Sequence, residues 1–316
     1  MTPLLEVRDL QTHFHTTRGV LKAVNGVSLT VNRGEILAVV GESGCGKSVT
    51  AFSILRLIPE PPGRIAGGQV LFEGTDLTKL TQDEMRSVRG DGIAMIFQEP
   101  MTALNPVLTV GEQVAEVLIE HRKATKGRAR ARVLEILADV RISDPARRID
   151  QYPHQLSGGM RQRVMIAMAL ACEPKLIIAD EPTTALDVTV QAQILDLLTE
   201  MRDRHGMAMI LITHDLGVVA EMADRVAVMY AGRKVEEADV EALFRQPLHP
   251  YTQGLIRATP EGAGAGRRAG RLQEIPGMVP PLHTMPPGCS FAPRCSFVMG
   301  VCDETPPPLT ERAPGH

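Results

Sequence analysis

The chain has 316 residues, 44% of them hydrophobic and 22% charged, which supplies a core for one large or two modest domains. A formal net charge of −3 argues against the clustered basic face that a nucleic-acid partner requires. No run approaches the ~18–20 uninterrupted apolar residues of a membrane span, and charge arrives too early in Met1-Thr2-Pro3-Leu4-Leu5-Glu6-Val7-Arg8-Asp9 for a secretory signal, so a cytoplasmic chain is expected, with any membrane crossing left to another polypeptide.

Short β-rich runs separated by turns come first, and residues 4–10, 27–31, 36–40, 69–72 and 93–97 are predicted as strands. The third run leads into Gly41-Glu42-Ser43-Gly44-Cys45-Gly46-Lys47-Ser48, which fits G-x-x-x-x-G-K-[ST] at every fixed position. A helix-forming segment over 49–55 follows, giving the strand, loop and helix order in which that pattern has meaning. Glycines without a Cβ let successive backbone N–H groups wrap a polyphosphate, and the helix start adds donors and a favourable dipole. Lys47 is then placed to neutralise β- and γ-phosphates, and Ser48 to ligate Mg²⁺. Taken alone, these residues could also form a plain Gly-rich surface turn.

Residues 110–137 carry apolar positions at helical spacing among many Arg and Glu, predicting a mostly helical insert. Leu156-Ser157-Gly158-Gly159-Met160 opens a helix over 161–171, either as a second anion cradle or as an ordinary N-cap. Leu176-Ile177-Ile178-Ala179-Asp180-Glu181 is an apolar strand ending in two carboxylates. A buried parallel strand delivers such residues to the crevice where ligands bind. Asp180 would hold Mg²⁺ and Glu181 would polarise an attacking water as general base, although the pair could also cap the next helix. A helix at 190–201 and strands at 209–213 and 226–229 complete an alternation that predicts an α/β fold with a mainly parallel sheet and covering helices.

Residues 262–268, Gly-Ala-Gly-Ala-Gly-Arg-Arg, read as a flexible linker. The Pro-rich stretch 275–316 has little periodicity and cannot bury much apolar surface, so something other than a core must hold it. Of the five cysteines, Cys45 and Cys172 read as small buried or loop residues. Cys289, Cys295 and Cys302 crowd into the tail, which in a cytoplasmic protein suggests a metal more than disulfides.

Together these segments resemble the ATP-binding-cassette (ABC) ATPases. Residues 41–48 match the family's Walker A, Gln98 in Ile96-Phe97-Gln98-Glu99-Pro100 the Q-loop, and 156–160 the signature. Residues 176–181 match Walker B with its glutamate, Ala185-Leu186-Asp187 the D-loop, and His214 the switch histidine. These occur in the family's order between residues 4 and 235. Met160 departs from the Gln of many members, but Met is common there in the peptide-permease branch.

The resemblance implies a P-loop NTPase cassette over 1–260, with a RecA-like, mainly parallel core, an antiparallel β subdomain and a helical subdomain inserted at about 100–172. A Pro/Cys-rich C-terminal extension would follow at 261–316. ATP would be contacted by Gly41, Ser43, Gly44, Cys45, Gly46, Lys47, Ser48 and Val49, and Mg²⁺ held by Ser48, Gln98 and Asp180. In a head-to-tail dimer each ATP would lie between this loop and Ser157, Gly158 and Gly159 of the other subunit, with Asp187 also a nucleotide-binding position. Phe14 matches the ring that stacks on adenine, and a strand-end Phe packed into the core is an equal reading. Glu181, His214 and Gln98 form the implied catalytic set, His214 donating to the γ-phosphate and Gln98 sensing γ-phosphate and Mg²⁺.

Tyr152-Pro153-His154-Gln155, His249-Pro250-Tyr251-Thr252 and the tail from Ile275-Pro276-Gly277 through Gly288-Cys289-Ser290-Phe291-Ala292-Pro293-Arg294-Cys295 to Cys302 resemble the dipeptide/oligopeptide permease ATPases, a branch that includes nickel importers. In some members this extension binds a 4Fe–4S cluster through four cysteines. Here C-x5-C-x6-C supplies three; the family's fourth cysteine usually follows a Gly-His pair, and the sequence stops at Gly315-His316, so the fourth ligand would lie past that point, or be His316, a partner's side chain, or absent, and three free thiols are the alternative. The branch implies a peripheral protein on the cytoplasmic face of the cell membrane that hydrolyses ATP to ADP and phosphate to power peptide import. Its partners would be a second ABC ATPase subunit (a copy or a related chain), two transmembrane permease subunits and an extracytoplasmic substrate-binding protein, with no nucleic acid. The rivals are import of nickel or another small solute, a soluble ABC ATPase acting on ribosomes or DNA, and a non-catalytic regulatory cassette. Soluble members usually carry two cassettes or a long coiled-coil insertion, and regulatory ones usually lack a residue matching Glu181 or His214.

Overall fold

The computed structural model describes residues 2–17, 19–122, 124–184, 186–259 and 275–316. The expected linker at 262–268 and Ala185 of the D-loop motif lie outside the described residues. In chain order the strands are β1 (Leu5–Thr16), β2 (Gly19–Val31), β3 (Ile36–Val40), β4 (Gly63–Phe72), β5 (Thr75–Asp76), β6 (Ile93–Ile96), β7 (Leu176–Asp180), β8 (Ala208–Ile212), β9 (Arg225–Tyr230) and β10 (Arg233–Asp239). Two compact units result, one from Met1–Thr78 with Ile212–His316 and the other from Lys79–Leu211.

In the first unit, β2-β1-β4-β5 form an antiparallel sheet, with Leu5 opposite Val31 on one side and Phe72 on the other. β1 and β2 run well beyond the 4–10 and 27–31 expected. The reason is local: register shifts between Val7 and Leu10 and again after Leu10 break the two-residue alternation, so the apolar pattern ends before the hydrogen bonding does. The helix Lys47–Ile54 packs on this sheet, its Ser53 hydroxyl 2.7 Å from that of Thr12 in a buried contact. The same unit holds β3 parallel to β9, and β10 antiparallel to β9. Every residue of β3 is buried, as expected of a strand covered on both faces. β10, Arg-Lys-Val-Glu-Glu-Ala-Asp, is too charged to read as a strand but suits a sheet edge.

The second unit holds β6 parallel to β7, with β8 beside β7. β7 is buried throughout. The expected helical stretch at 110–137 divides into Val110–Arg122 and Lys126–Asp139, the second starting after Thr125 in an extended conformation. With Gly158–Leu170 they bury Val114, Leu118, Val133, Leu137, Val164 and Ile166. The helix expected at 190–201 spans Val188–His205 and ends on Gly206 in the left-handed region, φ 62°. The fold is thus α/β, with parallel strand pairs, an antiparallel β sheet and a helical insert. Among the described residues no helix is long and apolar enough to cross a membrane.

Ile178→Ala, at a fully buried position of β7, is expected to cost about 2–5 kcal/mol through lost burial and the cavity left behind. Val188→Ala, at an exposed helix start, should stay within about 0.5 kcal/mol. Urea unfolding of the two variants beside wild type checks the contrast.

Candidate functional site

In the first unit, β3 ends at Val40 and the chain turns through the phosphate-loop residues into the helix Lys47–Ile54. Gly41 and Gly46 have φ of 150° and 100°. A Cβ on Gly41 would sit 2.2 Å from the Met229 carbonyl oxygen, and one on Gly46 would sit 2.4 Å from that of Ala23, so neither position admits a side chain. Gly46 occupies the N-cap without a side-chain cap, and the first turn carries no acidic residue. The donors and dipole of the helix start are therefore not offset by a carboxylate of the helix itself.

Lys47 is only 5% exposed. Its Nζ donates to the Gly41 carbonyl at 2.7 Å and the Glu42 carbonyl at 3.1 Å, which holds the ammonium over the loop. Ser43 and Gly44 are exposed, Ser48 and Val49 half-buried, and Cys45 buried, where burial pushes its thiol pKa up. His214 is exposed, one residue before Asp215, whose carboxylate caps the helix Leu216–Met222 by accepting from the Gly217 and Val218 N–H groups. Phe14 is half-buried on β1 opposite Gly63, its ring edge 2.9 Å from where a Gly63 Cβ would lie.

In the second unit, Asp180 closes β7 and is 2% exposed. Glu181 follows with φ 46°, a left-handed conformation costly for a residue with a Cβ. Its Oε2 accepts from the Gln98 amide at 2.9 Å and from the Thr184 hydroxyl at 2.8 Å. These expected catalytic residues, Gln98 and Glu181, are therefore in direct contact. Ser157 is the N-cap of Gly158–Leu170, its Oγ accepting from Met160 N–H at 3.4 Å. Asp187 likewise caps Val188–His205 through Val190 N–H at 2.9 Å. A Cβ on Gly159 would meet Val190 Cγ1 at 2.8 Å, so the two capped helix starts are closely apposed.

The tail cysteines lend the expected cluster no support. Cys289 N–H donates to the Cys302 carbonyl at 2.7 Å, and Cys295 Sγ accepts from Phe297 N–H at 3.4 Å. Burial pushes the Cys289 thiol pKa up. Among the described residues no three His, Cys, Asp or Glu side chains gather into a metal-holding group. His316, the other expected ligand, is buried against Glu236, Nε2 to Oε1 2.7 Å. As they stand, Cys289, Cys295 and Cys302 do not form the gathered ligand set that a 4Fe–4S cluster needs.

The sequence reading also passed over a set of residues around Glu42. Its carboxylate receives both terminal nitrogens of Arg294, at 2.6 and 3.0 Å, and its N–H donates to the Tyr251 hydroxyl at 2.8 Å. Tyr251 and Phe291 each pack edge to face with Tyr230 and lie tilted against each other around this point, with ring centroids 4.7–5.5 Å apart. The one available signal is composition: the chain has three tyrosines and no tryptophan, and two of those tyrosines are here.

The chain matches the family described as ABC transporter over residues 24–184, and the oligopeptide/dipeptide transporter C-terminal region over 235–302. It is 57% identical over 313 residues to the probable peptide ABC transporter ATP-binding protein y4tR of Sinorhizobium fredii, covering 99% of this chain and 93% of that protein. It is 52% identical to the dipeptide transport ATP-binding protein DppD of Bacillus subtilis, covering 100% of this chain and 93% of the relative. Among solved structures, the dimeric post-hydrolysis state of the ATP-binding cassette MJ0796 bound to ADP and Pi is similar at a TM-score of 0.67 and 31% identity, over 75% of this chain and 98% of that one. With its phosphate loop, its carboxylate-ended strand and its capped Gly-Gly helix start, the chain belongs to the ABC transporter family of ATP-binding proteins and carries the C-terminal region of its oligopeptide/dipeptide branch.

Proposed function

We propose that this chain is the nucleotide-binding subunit of an ABC importer, hydrolysing ATP to ADP and phosphate to drive uptake of di- or oligopeptides through separate transmembrane subunits. Glu181 carries the hydrolytic reading: a carboxylate at the end of a buried strand, oriented by Gln98 and Thr184, is suited to align a water and accept its proton. Peptide as cargo is supported by the C-terminal region and by the peptide and dipeptide transport after which the relatives are named.

In this reading Lys47 and the loop amides neutralise the β- and γ-phosphates, and Lys47 exchanges neutral carbonyl partners for charged oxygens. Ser48, Gln98 and Asp180 offer oxygen donors, the kind a hard Mg²⁺ takes, and the ion would draw charge from the γ-phosphate. His214 donates to the γ-phosphate, and Phe14 stacks on the base. Ser157, Gly158 and Gly159 of a second ATPase subunit complete each site, so that ATP stabilises the closed pair and its hydrolysis releases it. The proposed cassette spans 1–260 with its helical part at about 100–172, and the extension spans 261–316. The chain would sit peripherally on the cytoplasmic face of the membrane, served by an extracytoplasmic binding protein. An iron–sulfur cluster forms no part of this reading, because among the described residues the tail thiols do not gather into a metal-holding group and His316 is engaged with Glu236.

Glu181→Gln should keep ATP binding while phosphate release falls by about 10²–10⁴-fold, the range a general base supplies. Normal turnover in steady-state phosphate assays would remove Glu181 from its role. In that same background, ATP should hold a dimer, and adding Ser157→Arg should abolish the dimer while each monomer still binds ATP. Sedimentation with Mg-ATP reads the result, and a dimer that persists in the double variant rules out the shared site.

A further inference from the structure

Arg294 lies 252 positions from Glu42, in a segment of low periodicity, yet its side chain is only 5% exposed. All five of its N–H donors have acceptors. Nε reaches the Pro276 carbonyl at 2.9 Å; one terminal nitrogen reaches Glu42 at 2.6 Å and the Tyr230 hydroxyl at 3.5 Å; the other reaches Glu42 at 3.0 Å and the Ile275 carbonyl at 3.4 Å. The carbon of the guanidinium stands 5.9 Å from the Tyr230 ring centroid. A fork this fully matched has one geometry, and its target is a residue of the phosphate loop.

Glu42 is held at three points. Arg294 takes its carboxylate, Tyr251 takes its N–H, and its carbonyl receives both Lys47 Nζ at 3.1 Å and Cys45 N–H at 3.3 Å. The residue that carries the tail's grip is thus also an acceptor for the lysine meant to meet phosphate. Behind it Tyr230 continues β9 directly from Met229, whose carbonyl backs Gly41. An unpaired carboxylate at Glu42 would set a negative charge within a loop built for a polyanion.

From this geometry we infer that Arg294 is a positioning residue of the nucleotide site: acting through Glu42, it couples docking of the C-terminal extension to the shape and charge of the phosphate loop. The inference rests on the ATPase reading above. Linkage requires reciprocity, so ATP must strengthen tail docking by the factor with which the docked tail strengthens ATP binding.

The test uses the full chain. Arg294→Ala should raise KM for ATP about tenfold, within the usual range of such coupling, while kcat changes less than about twofold. Mg-ATP should slow amide hydrogen exchange across residues 289–302 in wild type and leave it unchanged in Arg294→Ala, a response that a purely structural role would not produce. Should the alanine variant fail to fold, Arg294→Lys keeps the charge, loses the fork, and should raise KM about threefold, part of the same coupling. Wild-type KM in the folded variant, or a wild-type tail indifferent to ATP, overturns the inference alone. Wild type that binds no ATP overturns the ATPase reading, and this inference with it.

Discussion

A buried ammonium is tolerated only where oxygens receive its protons, and Lys47 meets that demand with carbonyls of its own loop. To turn those carbonyls inward the loop needs backbone conformations closed to most residues, hence Gly41 at φ 150° and Gly46 at φ 100°. Those glycines are also pressed against the backbone of Met229 and Ala23, so the loop's curvature depends on β9 and β2 behind it. Asn25 N–H to the Gly232 carbonyl, and Gly232 N–H to the Cys45 carbonyl, tie the same strands to the loop at 2.8 Å each. The antiparallel sheet and the parallel β3–β9 pair therefore meet at the residues that would grip phosphate.

The second unit meets a different demand, that of holding a carboxylate at the end of a strand in a conformation it resists. Glu181 at φ 46° is strained, and such strain persists only where neighbours over-determine it. Gln98 and Thr184 hold the carboxylate, and the Gln162 side chain, buried in the signature helix, donates to the Pro182 carbonyl at 2.5 Å. Because Gly159 has no side chain, the Ser157-capped helix start closes directly on Val190, one turn into the helix that Asp187 caps. Ser157 and Asp187 thereby share one rigid support, which suits two positions expected to bind nucleotide.

Legibility in the sequence followed from how local each constraint is. The phosphate loop, the strand ending in Asp180-Glu181 and the Gly-Gly helix start were readable because their chemistry needs adjacent residues in a fixed order. The full lengths of β1 and β2 are hidden in the sequence because bulges interrupt their alternation, and β10 is hidden because an edge strand can be charged. The Thr125 break within 110–137 was missed because helical periodicity continues on both sides of it. The role of Arg294 was not legible: an arginine in a proline-rich stretch acquires this meaning only when folding brings it to Glu42.

The tail was expected to need something other than a core, and the structure divides that task between two kinds of contact. Phe291 supplies apolar burial against Tyr230 and Tyr251, which favours docking but is tolerant of small shifts in register. Arg294 supplies the opposite: an ion pair with a buried arginine and a half-buried carboxylate gains little net stability after desolvation, yet losing one partner strands the other charge. Such a pair disfavours every pose except the one that completes the fork, so it selects where the tail sits more than how tightly. His316 on Glu236, which also accepts from the Leu248 and His249 N–H groups, pins the far end in the same manner. A tail so fixed by polar pairs has a defined position without a large apolar interface, and its central pair falls on a residue of the phosphate loop rather than on inert surface.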